Sequence, residues 1–196
     1  MADLITIPAP IYRAFKSLPL AKGKAEPGAR ISEFVRVGVT AYAYTLTWSD
    51  LRVLIHAAWP KPKELGNTFE GWHLYLSKEE FAALPYDSRK GSELVIFDTP
   101  SDPFYRDILA PMNVNTFMDM GERDKPTPDR VKAVNPCIAL PVVKALAAMC
   151  KSGDMNGKAA PVKWDFGKTP LSPLRFDVHL YHCEADVSGL IMPVRM

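Results

Sequence analysis

The amino-acid sequence predicts an α+β fold made of a recurring strand–helix–strands unit, and three observations carry that expectation. Period-two alternation dominates, most clearly over Phe34–Trp48 and Leu174–Tyr181. Helix signals are few: Ile11, Phe15 and Leu18 at i, i+4, i+7, a capping box at Ser77-Lys-Glu-Glu80, and an Asn135-Pro136 start. Proline is abundant, 18 of 196 residues and roughly twice average usage, which favours loops and interrupted elements over long helices.

The elements follow in order. Leu4–Pro8 is a short extended piece, and a helix is expected from Ala9 to about Leu18, with Pro10 in its first turn. Residues 21–30, holding Gly and Pro, form a loop. Phe34-Val-Arg-Val-Gly-Val-Thr and then Tyr42, Tyr44, Leu46 and Trp48 give strands, Ser49-Asp50 a tight turn or bulge, and Leu51–Trp59 a further strand. After the Pro60-Lys-Pro-Lys loop come a strand over Trp72–Leu76, a capped helix over Lys78–Leu84 and a strand over Glu93–Phe97. Residues 98–112 read as an irregular crossing segment and 113–129 as a mobile acidic loop. Val131–Val134 is extended, and a helix runs from Asn135-Pro136 to about Met149, where Pro141 kinks it or delays its start. Val162–Phe166, Leu174–Tyr181 and Gly189–Val194 are the last three strands. The organisation expected is a first unit plus an abbreviated second unit over 1–112, the loop 113–129, and a last unit over 130–196.

The bulk composition fits a soluble globular chain, 47% apolar and 23% charged. Cys137, Cys150 and Cys183 are odd in number and show no metal-ligand spacing, which favours reduced thiols in a cytoplasm. The N-terminus has no basic region leading into an apolar run, and no apolar stretch is long enough to span a bilayer, so no membrane association is expected. Net charge is only +2, but it is unevenly placed. Residues 1–30 carry five Lys/Arg against two Asp/Glu, residues 131–175 seven against two, and residues 64–129 six against thirteen. Such asymmetry suits a basic face toward nucleic acid and an acidic face away from it, or simply local loop composition.

Little points to chemistry. His179-Leu-Tyr-His182-Cys183 has the residue types of a metal site, but residues three apart on a strand point to opposite faces. Gly-rich phosphate loops and Gly-x-Ser-x-Gly elbows do not occur. Cys150 ends a helix, where the dipole disfavours a thiolate. No catalytic residue, metal or cofactor is expected.

Several motifs then resemble one family. The ending Leu190-Ile-Met-Pro-Val-Arg-Met196 is similar to the C-terminus of the bacterial DNA polymerase III β subunit, the sliding clamp. Val134-Asn-Pro-Cys-Ile-Ala-Leu-Pro-Val-Val-Lys-Ala-Leu146 resembles that family's Asn-Pro helix start, and Val162–Arg175 its strand–turn–strand with Ser-Pro. The three occur in family order over about 65 residues. Asp102-Pro-Phe-Tyr-Arg-Asp-Ile-Leu-Ala-Pro111 is similar to the family's Pro-Asp-Tyr-Arg segment, and Tyr44–Val53 stands where clamps carry Asp-Gly-His-Arg-Leu, with Trp48 and Asp50 in place of small residues.

The resemblance implies the DNA-clamp architecture, antiparallel sheets outside and helices on the inner face, in a shortened relative of the kind expected on a phage or mobile element. It implies no enzyme but a processivity or docking factor in the cytoplasm of a bacterial host cell, with duplex DNA and polymerase or other replication proteins as partners, and a homo-oligomer. Candidate phosphate contacts are Arg13, Lys16, Lys22, Lys24, Lys144 and Lys151; each is equally an ordinary solvated residue. The implied apolar peptide pocket maps to Leu190, Met192, Pro193, Val194 and Arg195 with Arg52, Val53, Pro103, Arg106 and Ile108, and strand alternation would bury part of that set. Two rival readings remain: a clamp decoy or modulator that keeps the protein-binding face without closing a ring, and an unrelated α+β ligand-binding domain or small enzyme.

Overall fold

In a computed structural model, the structure describes residues 2–19, 32–50, 52–62, 71–97, 134–150, 160–166 and 172–193. The chain opens with β1 (Ala2–Ile7) and α1 (Ala9–Ser17), followed by β2 (Phe34–Val39), β3 (Ala43–Ser49) and β4 (Val53–Pro60). Next come β5 (His73–Ser77), α2 (Lys78–Ala83), β6 (Tyr86–Asp87) and β7 (Gly91–Phe97). The last part is α3 (Pro136–Cys150), β8 (Lys163–Asp165), β9 (Leu174–Leu180), a 3-10 turn (Tyr181–Cys183) and β10 (Ala185–Ile191).

The strands form a seven-stranded sheet in the order β5-β2-β3-β4-β10-β9-β8 and a three-stranded sheet β1-β7-β6, with every pairing antiparallel. The large sheet is two meanders laid edge to edge. β2-β3-β4 follows α1, β8-β9-β10 follows α3, and the seam is β4–β10, in register from Val53↔Ile191 to Ala58↔Asp186. The recurring unit seen in the sequence pattern is therefore spatial as well.

Alternation decides the two faces of this sheet. Val35, Val37, Leu46, Trp48, Ile55, Phe176, Val178 and Val187 point inward and join Ile11, Phe15, Leu146 and Met149 in one core. α1 packs against α3 on that side. The opposite face is polar: Lys163, Asp177, Ser188, His56, Thr47, Arg36 and Tyr75 form one row in register across all seven strands. The result is α+β with sheet outside and a helix pair inside, the architecture expected.

Local chemistry fixes the helix ends. α1 has Pro in its first turn, and Tyr12 N–H donates to the Pro8 carbonyl at 2.9 Å. α2 carries the capping box read from the sequence: the Ser77 hydroxyl accepts from Glu80 N–H and the Glu80 carboxylate accepts from Ser77 N–H. At α3, the Asn135 side chain accepts from Cys137 N–H at 2.9 Å. α3 runs through Pro141 without stopping. The N–H that proline lacks would serve the Cys137 carbonyl in the helix's exposed first turn, where water can replace it. Lysines from α1 and α2 tie the two helices reciprocally: Lys16 Nζ donates to the Ala82 carbonyl and Lys78 Nζ to the Phe15 carbonyl.

Differences from the sequence reading are local. β7 begins at Gly91, two residues earlier than expected, and is preceded by the short β6. Gly91 has a φ of 106°, and a Cβ there would meet the Ile7 carbonyl oxygen at 2.0 Å, so only glycine lets β7 pass β1's end. β10 begins at Ala185 rather than Gly189, because the 3-10 turn and Glu184 in the left-handed region close a tight β9–β10 hairpin. The expected crossing segment 98–112, the loop 113–129 and residues 131–133 lie outside the described residues.

Candidate functional site

The site grows from one turn. Asp50 Oδ1 accepts N–H bonds from Arg52 at 2.9 Å and Val53 at 2.7 Å, and Ser49 Oγ donates to the Val53 carbonyl at 2.8 Å. This Asx-type turn starts β4 and leaves Arg52 exposed. The Arg52 carbonyl then accepts from Met192 N–H at 2.8 Å, so the chain leaving β10 is stitched to the turn. Arg52, Met192 and Pro193, expected from two separate sequence motifs, are thus brought together, with Met192 and Pro193 half-buried.

The pleat sorts the remaining pocket candidates. Val53 is 3% exposed and lies in the core, opposite Ile191. Leu190 is 1% exposed and projects from the other face, opposite Leu54 on β4 and Arg175 on β9. Leu54, not Val53, is therefore the β4 side chain beside Leu190. The sequence carried no sign of this, since parity is settled only by the β4–β10 register. Arg175 is held by Asp177, with Nε–Oδ2 at 3.0 Å. Trp48 does not intrude: it faces inward and donates its indole N–H to the Ser32 carbonyl at 3.0 Å. Pro103, Arg106, Ile108, Val194 and Arg195 lie outside the described residues.

Three of the six phosphate-contact candidates lie on the two inner helices. Arg13 and Lys16 are exposed on α1, though Lys16 is committed to Ala82 and sits 5.7 Å from the Tyr12 ring centre. Lys144 is exposed on α3. It is the only charged residue of that helix, among exposed Leu140, Val143, Ala147 and Ala148. Lys22, Lys24 and Lys151 lie outside the described residues.

Other titratable groups serve the scaffold. Thr47 Oγ1 lies 2.9 Å from His56 Nδ1, and burial, with Arg36 nearby, pulls the His56 pKa down to about 4. Burial lowers Lys78 to about 8 and pushes the Cys183 thiol up to about 11. Cys150 is buried at the end of α3 and its pKa is likewise raised. His179 Nδ1 pairs with Asp186 Oδ1 at 2.7 Å, while His182 sits in the 3-10 turn rather than on the strand. An open cleft of about 370 Å³ lies on the polar face here, lined by Lys163, Asp177, His179, Tyr181, Asp186 and Ser188. Among the described residues no three His, Cys, Asp or Glu side chains gather as for a metal ion, and no helix is long and apolar enough to cross a membrane.

No protein-family model matches this sequence, and no curated protein matches it. Solved structures do. A protein described as a DNA polymerase III beta subunit, from Eubacterium rectale, superposes with a TM-score of 0.52 at 8% identity, over 100% of this chain and 66% of that one. The DNA polymerase sliding clamp of Bacillus subtilis gives 0.52 at 12% identity, over 99% and 64%. The beta subunit of Streptococcus pyogenes DNA polymerase gives 0.51 at 11%, over 100% and 66%. The chain spans less than two thirds of the length of these proteins. At such identities the likeness is one of fold.

Proposed function

We propose, for a chain that has the fold of bacterial sliding clamps, a role without chemistry: a clamp-like processivity or docking factor for replication proteins. The observation that carries the reading is the stitched corner where Met192 N–H meets the Arg52 carbonyl. It sets a flexible thioether, a proline and an exposed guanidinium together at the end of the central β4–β10 seam. A methionine there can repack around different apolar peptide side chains, and an arginine can fix a peptide carbonyl or carboxylate. Leu54 and Leu190, both buried, pack side by side at the same end of the seam; Pro103, Arg106, Ile108, Val194 and Arg195 are the further candidates.

Duplex DNA is the second proposed partner, bound without base readout. Arg13 and Lys16 on α1, with Lys22, Lys24, Lys144 and Lys151, are the candidate phosphate contacts. The site in this reading is cytoplasmic, the working form a homo-oligomer, and no catalytic residue is assigned. A modulator that binds replication proteins without closing a ring is the second reading, favoured by the apolar outer face of α3.

Light scattering with and without primed circular DNA tests the proposal. A closed oligomer that stays on circles and is released when they are cut supports a working clamp. A monomer that ignores DNA refutes the ring and leaves the modulator reading.

A further inference from the structure

The polar outer face of the large sheet treats its basic groups in two ways. In the second meander Arg175 and His179 each meet an acid: Arg175 Nε lies 3.0 Å from Asp177 Oδ2, and His179 Nδ1 lies 2.7 Å from Asp186 Oδ1. The first meander and its neighbour β5 offer no such partner, since β5, β2, β3 and β4 contain neither Asp nor Glu. Yet Arg36 and His56 stand there, on either side of Thr47 in one cross-strand row.

Arg36 is the anomaly. The residue is half-buried, its Nε is fully buried without a hydrogen bond, and among the described residues no ion pair reaches the guanidinium. A buried charged donor left unpaired costs free energy that a carboxylate partner would recover. His56 adds a second donor. Its Nδ1 lies 2.9 Å from Thr47 Oγ1. A Thr47 hydroxyl donating to Nδ1 leaves the neutral ring's proton on Nε2, open to an acceptor. The next row, Gly38, Thr45 and Ala58, is made of short residues, so the ends of Arg36 and His56 are not walled in on that side. The row thus offers one fixed positive charge in a planar fork, which matches a carboxylate better than a phosphate dianion.

We propose that Arg36 and His56 form a carboxylate-binding site on the outer face of the first meander. The guanidinium takes the carboxylate oxygens, and the imidazole Nε2–H donates to one of them. The acid is either a free small carboxylate or an Asp or Glu side chain of a partner segment. The face lies across the sheet from α1 and α3, so the site is separate from the proposed DNA contacts and does not rest on the clamp reading. Binding there has its own readout. Among the described residues, the charged groups facing His56 are Arg36 on β2 and, diagonally on β10, Asp186, itself held by His179. Burial and Arg36 hold the His56 pKa down at about 4. A carboxylate beside both side chains offsets the Arg36 charge and raises it.

The test is an NMR titration of His56 in the full chain with sodium acetate, an end-capped Gly-Asp-Glu-Gly peptide, inorganic phosphate and sodium chloride, at matched ionic strength. Acetate or the peptide should move the His56 titration midpoint up by about one pH unit, and chloride should not. Arg36→Gln should weaken binding about tenfold or more. Arg36→Lys, which keeps the charge and loses the fork, should weaken it about three- to tenfold. Arg36→Gln removes an unpaired charge, so it should melt no lower than the wild type, which separates lost binding from a lost fold. Peptide binding about tenfold tighter than acetate assigns the acid to a partner segment; equal binding assigns it to a free small acid. A midpoint that moves no further than in chloride, or binding that survives Arg36→Gln, overturns the proposal. So does phosphate binding more tightly than either carboxylate. Glu64 and Glu70, which precede β5, lie outside the described residues. If the double variant Glu64→Gln, Glu70→Gln binds acetate about tenfold more tightly than the wild type, the chain's own acid fills the site and the outside ligand is refuted.

Discussion

α1 and α3 hold equivalent places, each leading into a three-stranded meander of the shared sheet, yet their outer faces differ. α1 is amphipathic in the ordinary way, with Ile11, Phe15 and Leu18 buried and Arg13, Lys16 and Ser17 outside. α3 buries Val142, Leu146 and Met149 and still shows Leu140 and Val143 to solvent. Two helices that share a role in the core therefore need not share a role at the surface. The inner demand is set by the sheet they both pack on, whereas the outer face answers only to what comes from outside.

The first way to break this comparison is to attack the shared inner role. Phe15 and Met149 are both fully buried. Phe15→Ala should cost about 4 kcal/mol and Met149→Ala about 3 kcal/mol by urea unfolding. A cost below about 1 kcal/mol for Met149→Ala would mean that α3 is not a full partner in the core, and the equivalence would fail.

The seam between the meanders gives a sharper contrast. A Cβ on Gly189 of β10 would meet Phe176 Cζ at 2.2 Å and the Leu54 carbonyl oxygen at 2.4 Å. The ring lies over the glycine, and the backbone atom beside it cannot swing aside. A Cβ on Gly38 of β2 would meet only Thr45 Oγ1 closely, at 2.7 Å, which can rotate away. Gly189→Ala should therefore cost about 3 kcal/mol and Gly38→Ala about 1 kcal/mol or less. Equal costs in denaturant titration would show that the seam adapts and that the two halves are less firmly joined than the register implies.

How much of this was legible in the sequence follows from what each signal depends on. The Ser77–Glu80 box, the Asn135 cap and the Ile11–Phe15–Leu18 stripe are local, and all three appear in the structure. The terminal motif and the Tyr44–Val53 motif meet in space, where the Arg52 carbonyl accepts from Met192 N–H. The fold itself came from residues resembling those of clamps, and it stands on the superpositions. What the sequence could not supply was parity. Whether Val53 or Leu54 sits beside Leu190 depends on a pairing between residues more than a hundred positions apart, and one step of register would exchange them. The early start of β10 escaped because it hangs on a left-handed residue, Glu184, which is not a glycine.

The polar face of the first meander carries a pH signature of its own. His56, on β4, is held neutral, its pKa lowered to about 4 by burial and by Arg36. The unfolded chain binds a proton there near pH 6.5, so below that pH the unfolded state holds more protons than the folded one. Stability is then full above about pH 6.5 and falls as pH drops toward 4, by on the order of 3 kcal/mol. His56→Gln, which can still hydrogen-bond Thr47, should flatten the pH 4–6.5 part of the stability curve. His179→Gln, on the exposed Asp186 pair of the second meander, should leave it steep. Parallel curves for wild type and His56→Gln would place the acid sensitivity elsewhere.

The smallest expected effect bears most directly on the two outer faces. If α1 is the side that meets phosphate, Arg13→Ser should reduce the slope of log affinity against log salt for a duplex by about one. It should weaken binding by about 1 kcal/mol or less at moderate salt. Lys144→Ser should reduce that slope less than Arg13→Ser, because Lys144 stands among the exposed apolar side chains of Leu140, Val143 and Ala147. A loss of slope from Lys144→Ser as large as that from Arg13→Ser would make the helices equivalent outside as well as inside. The exposed Leu140 and Val143 would then leave no trace in how the two helices meet DNA.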